Sequence, residues 1–185
     1  MSTQKHKALT SLEWWALVKN DPARLADWLA DQYHGEVTAQ QRIVDFANQY
    51  APEGNHWRAT LLVIAGQESD HAAWVGELLI VRGLRPRLLV KQERYWERTL
   101  PAIDSFESGA AVAARAEAMR LERIRVIAAD PEAPPDIREV FERILPQEEF
   151  HARAFAQMAG KPAMAAALSR HEAGMEAIGL IPAGI

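Results

Sequence analysis

The feature that most constrains this chain is a motif that occurs twice. Glu36 precedes Glu68-x-x-His71 by 32 residues, and Glu117 precedes Glu148-x-x-His151 by 31. The surrounding wording repeats as well. Arg42-Ile43 follows Glu36 by six residues, as Arg123-Ile124 follows Glu117. Gln67-Glu68-Ser69-Asp70-His71-Ala72 is mirrored by Gln147-Glu148-Glu149-Phe150-His151-Ala152. Each half therefore carries a lone Glu on one helix and Glu-x-x-His on the next. Positions i and i+3 share a helix face, so each Glu and His of a pair point the same way.

These polar pairs interrupt apolar stripes. Leu61, Ile64, Ala72 and Val75 flank Glu68; Phe141, Ile144, Ala152 and Phe155 flank Glu148. Glu36 lies between Leu29 and Ile43, and Glu117 between Ala113 and Ile124. Helices packed by these stripes bring four carboxylates and two imidazoles into one core. Buried carboxylates repel one another, and an unpaired buried charge costs several kcal/mol. Either the carboxyls stay protonated with raised pKa values, or two divalent cations balance the four charges. In the second case two carboxylates bridge, and each ion takes one His nitrogen and a further carboxylate. Oxygen and nitrogen ligands with open positions suit iron or manganese.

The rest of the chain reads as helix. The N-terminal 1–21 holds a polar start and a short docking helix with Leu12, Trp14, Trp15, Leu17 and Val18. Asp21-Pro22 opens a long helix that Ala51-Pro52-Glu53-Gly54 stops near Tyr50. Asn55 caps a second, ending at Arg82-Gly83. Leu84 to Asp104 is too long for a tight turn and reads as a crossover, with a helical piece at Lys91–Arg98. Ser105 or Ser108 caps a third helix, running to about Ala129. A fourth starts at Pro135 and ends at Gly160, with a kink expected at Pro146. A last piece spans Pro162 to about Ala177. The plan is all-α: four long helices over 22–160 with short, long and short connections, and a C-terminal helix and tail over 161–185.

Composition narrows the chemistry. The 185 residues include no Cys, which excludes disulfides, a cysteine nucleophile, iron–sulfur clusters and thiolate metal sites. A net charge of -4 argues against general nucleic-acid binding. No apolar run approaches a transmembrane span, and Lys5 and Lys7 have no apolar segment behind them, so neither a membrane anchor nor a secretory signal is expected. The expected location is cytoplasmic.

The pattern Glu36 … Glu68-x-x-His71 … Glu117 … Glu148-x-x-His151 resembles that of the ferritin-like di-iron carboxylate superfamily. Rubrerythrin-type domains are similar in helix lengths and in lacking a membrane span. His34-Gly35-Glu36-Val37, Gln67-Glu68 … His71 and Arg82-Gly83-Leu84-Arg85-Pro86 also resemble local motifs of the demethoxyubiquinone hydroxylase family. That family continues into an apolar, glycine-rich helix, whereas Lys91 to Arg98 is strongly polar here. Rubrerythrin proper carries a cysteine-ligated module that a sequence without Cys does not have. Some rubrerythrins place an extra Glu one turn after the third-helix ligand, where this chain has Arg120.

The resemblance implies a ferritin-like four-helix bundle, with a long crossover between helices 2 and 3 and extra terminal helices. It implies two Fe ions, or Mn or mixed Fe/Mn, at a Glu4His2 site. Glu36, Glu68 and His71 form one side and Glu117, Glu148 and His151 the other, with two Glu shared. The implied activity is an oxidoreductase reacting with O2 or peroxide and fed by an external electron donor. Two alternatives stand beside it. One is a hydroxylase of a small apolar substrate, with an apolar tunnel from the site to the crossover. The other is an iron-binding or ferroxidase protein without an organic substrate.

Several residues carry two readings. Glu122 competes with Glu117 as ligand, since five residues turn a helix too far for both to face the core. Tyr33 is a hydrogen-bond partner of a ligand or a structural core Tyr. Gln32, Gln40, Gln67, Asp70 and Gln147 are candidates to orient ligands. Arg42 and Arg123 recur, and surface ion pairs of little energetic worth are the plainer reading for both. His34, His56 and His171 match no ligand spacing. Arg82–Arg98 is either a lid for an apolar substrate or a crossover with wet charges. Trp14, Trp15 and Trp28 are core residues or a homodimer contact.

Overall fold

The computed structural model describes residues 9–180. The polar start with Lys5 and Lys7 and the last five residues of the tail lie outside them. The elements are α1 (Ser11–Lys19), α2 (Pro22–Tyr50), α3 (Arg58–Ile80), α4 (Arg94–Thr99), a 3-10 turn (Leu100–Ala102), α5 (Phe106–Ala128), α6 (Pro135–Ala166) and α7 (Leu168–Ala177). All are helical, and α2 with α3 and α5 with α6 form the two hairpins of a four-helix bundle. No helix among the described residues is long and apolar enough to cross a membrane.

Local sequence sets the helix ends. Asp21 accepts hydrogen bonds from the backbone N–H groups of Ala23 and Arg24, and Pro22 stands first in α2. Arg58, the first residue of α3, donates to the carbonyls of Ala47 and Ala51 and so closes the end of α2. At the end of α3, Gly83 takes φ 72°, and the Leu84 N–H reaches back to the Leu79 carbonyl. Ser105, not Ser108, caps α5, in a reciprocal box with Ser108.

Two expectations about α6 resolve differently. The backbone stays helical at Pro146, so no break falls there. Gly160 leaves the helix at φ 67° and ψ 166°, a conformation suited to glycine, and helix resumes through Pro162. Pro at 146 costs one backbone hydrogen bond, whereas the backbone at Gly160 departs from the helical region altogether.

The core divides into two apolar clusters along the bundle. One contains Leu29, Val75, Ile124 and Ile144; the other contains Ile43, Ile64, Ala114 and Phe155. Along α2 the chain passes from the first cluster to the second, along α3 back again, along α5 from second to first, and along α6 from first to second. The link between α3 and α5 must therefore return the chain to the second end, which is why it is long. It follows α2 on the way. Lys91 pairs with Asp31 at 2.6 Å, Glu93 with Arg42, and the Tyr50 hydroxyl donates to the Ile103 carbonyl.

The terminal helices close the ends. In α1, Trp15 donates its indole N–H to Asp130 at 2.8 Å, and Lys19 pairs with the same carboxylate. Trp14, Trp15 and Trp28 pack on one another within the chain, with Trp15 and Trp28 buried. α7 packs on α4, where Gly174 admits the Tyr95 ring: a Cβ there would stand 2.7 Å from it.

Candidate metal centre

Each long helix carries its glutamate at the level where one apolar cluster gives way to the other. Glu36 (α2), Glu68 and His71 (α3), and Glu148 and His151 (α6) are fully buried, and Glu117 (α5) is 5% exposed. Glu122 is exposed, so α5 presents Glu117 to the core. The donors gather in two groups: Glu36, Glu68, His71 and Glu148, and Glu68, Glu117, Glu148 and His151. Within each group one ligand atom per residue lies within 4.8 Å of the others. Glu68 and Glu148 belong to both groups, while Glu36 and Glu117 each belong to one.

The imidazoles point Nδ1 at the carboxylates. His71 Nδ1 is 3.4 Å from Glu148, and His151 Nδ1 is 3.2 Å from Glu68. Their far nitrogens are held crosswise. His71 Nε2 lies 2.9 Å from Gln147 Oε1, and His151 Nε2 lies 2.9 Å from Gln67 Oε1. With Nε2–H donating to the amide oxygen, each ring is held with Nδ1 turned toward the cluster. Gln67 and Gln147 thus stand where ligand-orienting residues were expected, and Gln32 donates to Glu36 at 3.0 Å. Asp70 does not; it is exposed on the outer side of α3. Tyr33 packs its ring against α3 at Gly76, beside the first apolar cluster.

Arg120 is the residue that sequence reasoning missed. In the sequence it registers only as the absence of a further acid one turn after Glu117. Its guanidinium reaches into the cluster, 2.6 Å from Glu36, 3.4 Å from Glu148, 3.8 Å from Glu117 and 4.0 Å from Glu68. The signal was present: Arg120 lies three residues after Glu117 on the same face of α5. His34 was also unassigned. It accepts from the Leu89 N–H and lies 3.3 Å from Glu93, so it fastens the crossover to α2.

The charges sort themselves around Arg120. Burial drives every carboxyl upward. At Glu36 the Arg120 charge and the His71 contact overcome this and hold the group at about 2. Glu148 is likewise held well below the usual range, against burial, by Arg120 and both imidazoles. Glu68 and Glu117 are pushed well up, by burial first and then by Glu148. Burial lowers His71, but Glu148 and Glu36 lift it to about 10. Protons and one guanidinium therefore carry the positive charge of the metal-free cluster.

The residues fit two divalent cations. Of the nine buried side-chain polar atoms without a hydrogen bond among the described residues, seven belong to this cluster: Glu36 Oε2, both Glu68 oxygens, His71 Nδ1, Glu117 Oε2, Glu148 Oε2 and His151 Nδ1. Unsatisfied buried polar atoms are normally rare, and here all seven face one another. They are hard oxygen and imidazole donors, and the four carboxylates match two divalent charges.

A cavity of about 390 Å³ adjoins the cluster between α2 and α5. Glu117 and Arg120 line it on the side of the cluster. Ile43, Phe46, Val112 and Phe155 wall it, and Trp96 and Leu100 of the crossover border it. Arg42 lies over the Trp96 ring at 4.5 Å while pairing with Glu93. Of the crossover's apolar residues, Tyr95 is buried and Trp96 borders the hollow, whereas Leu88 and Val90 remain exposed.

Comparison with known proteins agrees with this geometry. A search of the curated proteins finds no match, and neither does a search of the solved structures. The model of the rubrerythrin family matches residues 27–159, which include all six cluster residues. With most of its length matched and a buried Glu/His cluster at the centre of the bundle, the chain belongs to the rubrerythrin family.

Proposed function

We propose that this protein is a non-haem di-iron oxidoreductase reacting with O2 or peroxide. Glu36, Glu68, Glu117, Glu148, His71 and His151 would hold two iron ions, with manganese or a mixed pair as the other metals this donor set accommodates. The observation that carries the reading is the convergence of seven unpartnered buried donors on one point of the bundle. Glu68 and Glu148 are common to both donor groups, whereas Glu36 and Glu117 belong to one each.

Held by these residues, two ferrous ions would supply the electrons for reaction with O2 or peroxide. The protein's share is geometric and electrostatic. Gln67 and Gln147 fix the imidazole orientation, the two apolar clusters exclude water from above and below, and Arg120 offers a fixed positive charge beside the carboxylates. Without a cysteine in the sequence, reducing equivalents come from an external donor or from the substrate.

A second reading has one observation in its favour. Hydroxylation of a small apolar substrate requires an apolar passage from the site to the crossover, and the cavity bounded by Glu117, Arg120 and Trp96 has that course. The two readings share one test. Protein loaded anaerobically with Fe(II) is mixed with hydrogen peroxide or O2, and the visible spectrum and oxidant consumption are followed. Rapid iron oxidation is expected, with a marked slowing in His71→Ala and His151→Ala. Loaded protein that leaves both oxidants untouched would overturn both.

A further inference from the structure

The cavity beside the cluster has a chemical character of its own. Its walls are mostly apolar, and it is larger than peroxide or O2 needs: about 390 Å³ falls within the range of small-molecule sites. The sequence makes the space. Ala39 on α2 and Gly109, Ala113 and Ala116 on α5 face it with little or no side chain. Gly109 is required at its position, because a Cβ there would stand 2.3 Å from the Phe46 ring. The ring rests on the α5 backbone and stacks on Phe106, which gives the hollow a flat aromatic wall.

Charge determines what enters. Arg42, near the outer side, is already committed to Glu93. Arg120 is different. Its charge serves the carboxylates, and four of them surround it. Two divalent cations would neutralise those four carboxylates, leaving one guanidinium charge in excess at the inner end of an apolar hollow. A buried cation without a partner is costly, and an anion supplied by a ligand relieves that cost. Arg is also the side chain best matched to a carboxylate, which it can engage with two N–H groups.

We propose that this cavity binds a small apolar monocarboxylate, aryl or short-chain, with its apolar body against Phe46 and Trp96 and its carboxylate toward Arg120. The proposal rests on the di-iron reading, since it is metal charge that frees Arg120. Metal and carboxylate binding are then positively coupled, each tightening the other. In the metal-free protein Arg120 remains neutralised by Glu36 and Glu148, and the carboxylate meets only repulsion.

The test is calorimetric titration of the whole chain with phenylacetate and with its neutral isostere phenylacetamide, before and after loading with Fe(II) under anaerobic conditions. Phenylacetate is expected to bind the loaded protein at least about tenfold more tightly than phenylacetamide, and more tightly than it binds the metal-free protein. Filling the hollow by Ala113→Leu or, on the opposite wall, Ala39→Leu is expected to weaken phenylacetate binding by a similar factor at unchanged metal content. Equal affinity for acid and amide, or unchanged affinity in both filled variants, would overturn the proposal. So would full metal uptake with no phenylacetate binding, an outcome that leaves the di-iron reading standing. Failure of metal uptake itself would remove both.

Discussion

At the scale of single residues, Arg120 changes how the site is understood. Four carboxylates and two imidazoles invite a description in terms of metal alone, yet the fold supplies one cation permanently. This predicts a metal-dependent cost of removing it. Arg120→Ala leaves Glu36 and Glu148 buried without their main counter-charge, which is expected to destabilise the metal-free protein by about 3 kcal/mol. Two bound cations compensate the same carboxylates, so the loss is expected to shrink when metal is present. Thermal melts of both forms check this; an equal loss with and without metal would assign Arg120 a packing role instead. The buried glutamates and histidines of this layer were legible in the sequence because each stands alone in an apolar stripe at a repeated spacing. Glu117 was distinguishable from Glu122 by the same spacing. Asp70 was misread because adjacency to His71 in sequence turns a residue about 100° away on a helix. Arg120 shares the face of Glu117 by its spacing, but a basic residue on a helix is ordinarily surface, and that expectation hides the signal.

At the scale of elements, most breakers and caps were readable, with Asn55 an exception: it accepts from the Trp57 N–H, while α3 begins at Arg58 without a side-chain cap. Asp21-Pro22, Ser105 and Gly160 each act through their own backbone chemistry, and each marks an end or a break. At Pro146 the backbone keeps helical dihedrals, and the departure from helix falls at Gly160 instead. The crossover was recognised by length, but its attachment through His34, Arg42 and Glu93 depends on long-range pairing that no local pattern reveals. The docking of α1 gives a prediction at this scale. Asp130 takes hydrogen bonds from Lys19 and Trp15, and the Lys19 contact, with the Trp15 indole, lowers its pKa below 3.8 despite burial. A depressed carboxylate stabilises the fold above its unfolded value and loses that contribution as pH falls through the folded one. The stability difference between wild type and Asp130→Asn is therefore expected to be constant from neutral pH down to about 4, then to shrink. Denaturant titrations across that range measure it; a difference that grows on acidification would contradict the assignment.

At the scale of the whole molecule, the fold is two apolar clusters with a polar layer between them. The topology follows from placing that layer at the same height in four helices. Each hairpin contributes one lone Glu and one Glu-x-x-His, and the long crossover runs the second hairpin parallel in sense to the return of the first. The all-α class, the helix order and the long connection were legible because amphipathic periodicity and breaker residues carry them. The cavity was legible only as a requirement of one alternative; Gly109 and the alanines of α5 are small on the face of the sequence, but only the packing shows them lining one hollow. An assembly so arranged leaves seven buried donors unsatisfied unless cations occupy the layer. The measurement that addresses this most directly is the iron content of the purified chain after anaerobic loading with Fe(II) and removal of excess metal, alongside a folded Glu148→Ala variant. About two iron ions per wild-type chain are expected, with most of that content lost when the shared Glu148 is removed. A folded wild-type chain that retains far fewer, or a variant that retains as many, would contradict the assignment of this layer as a di-iron centre.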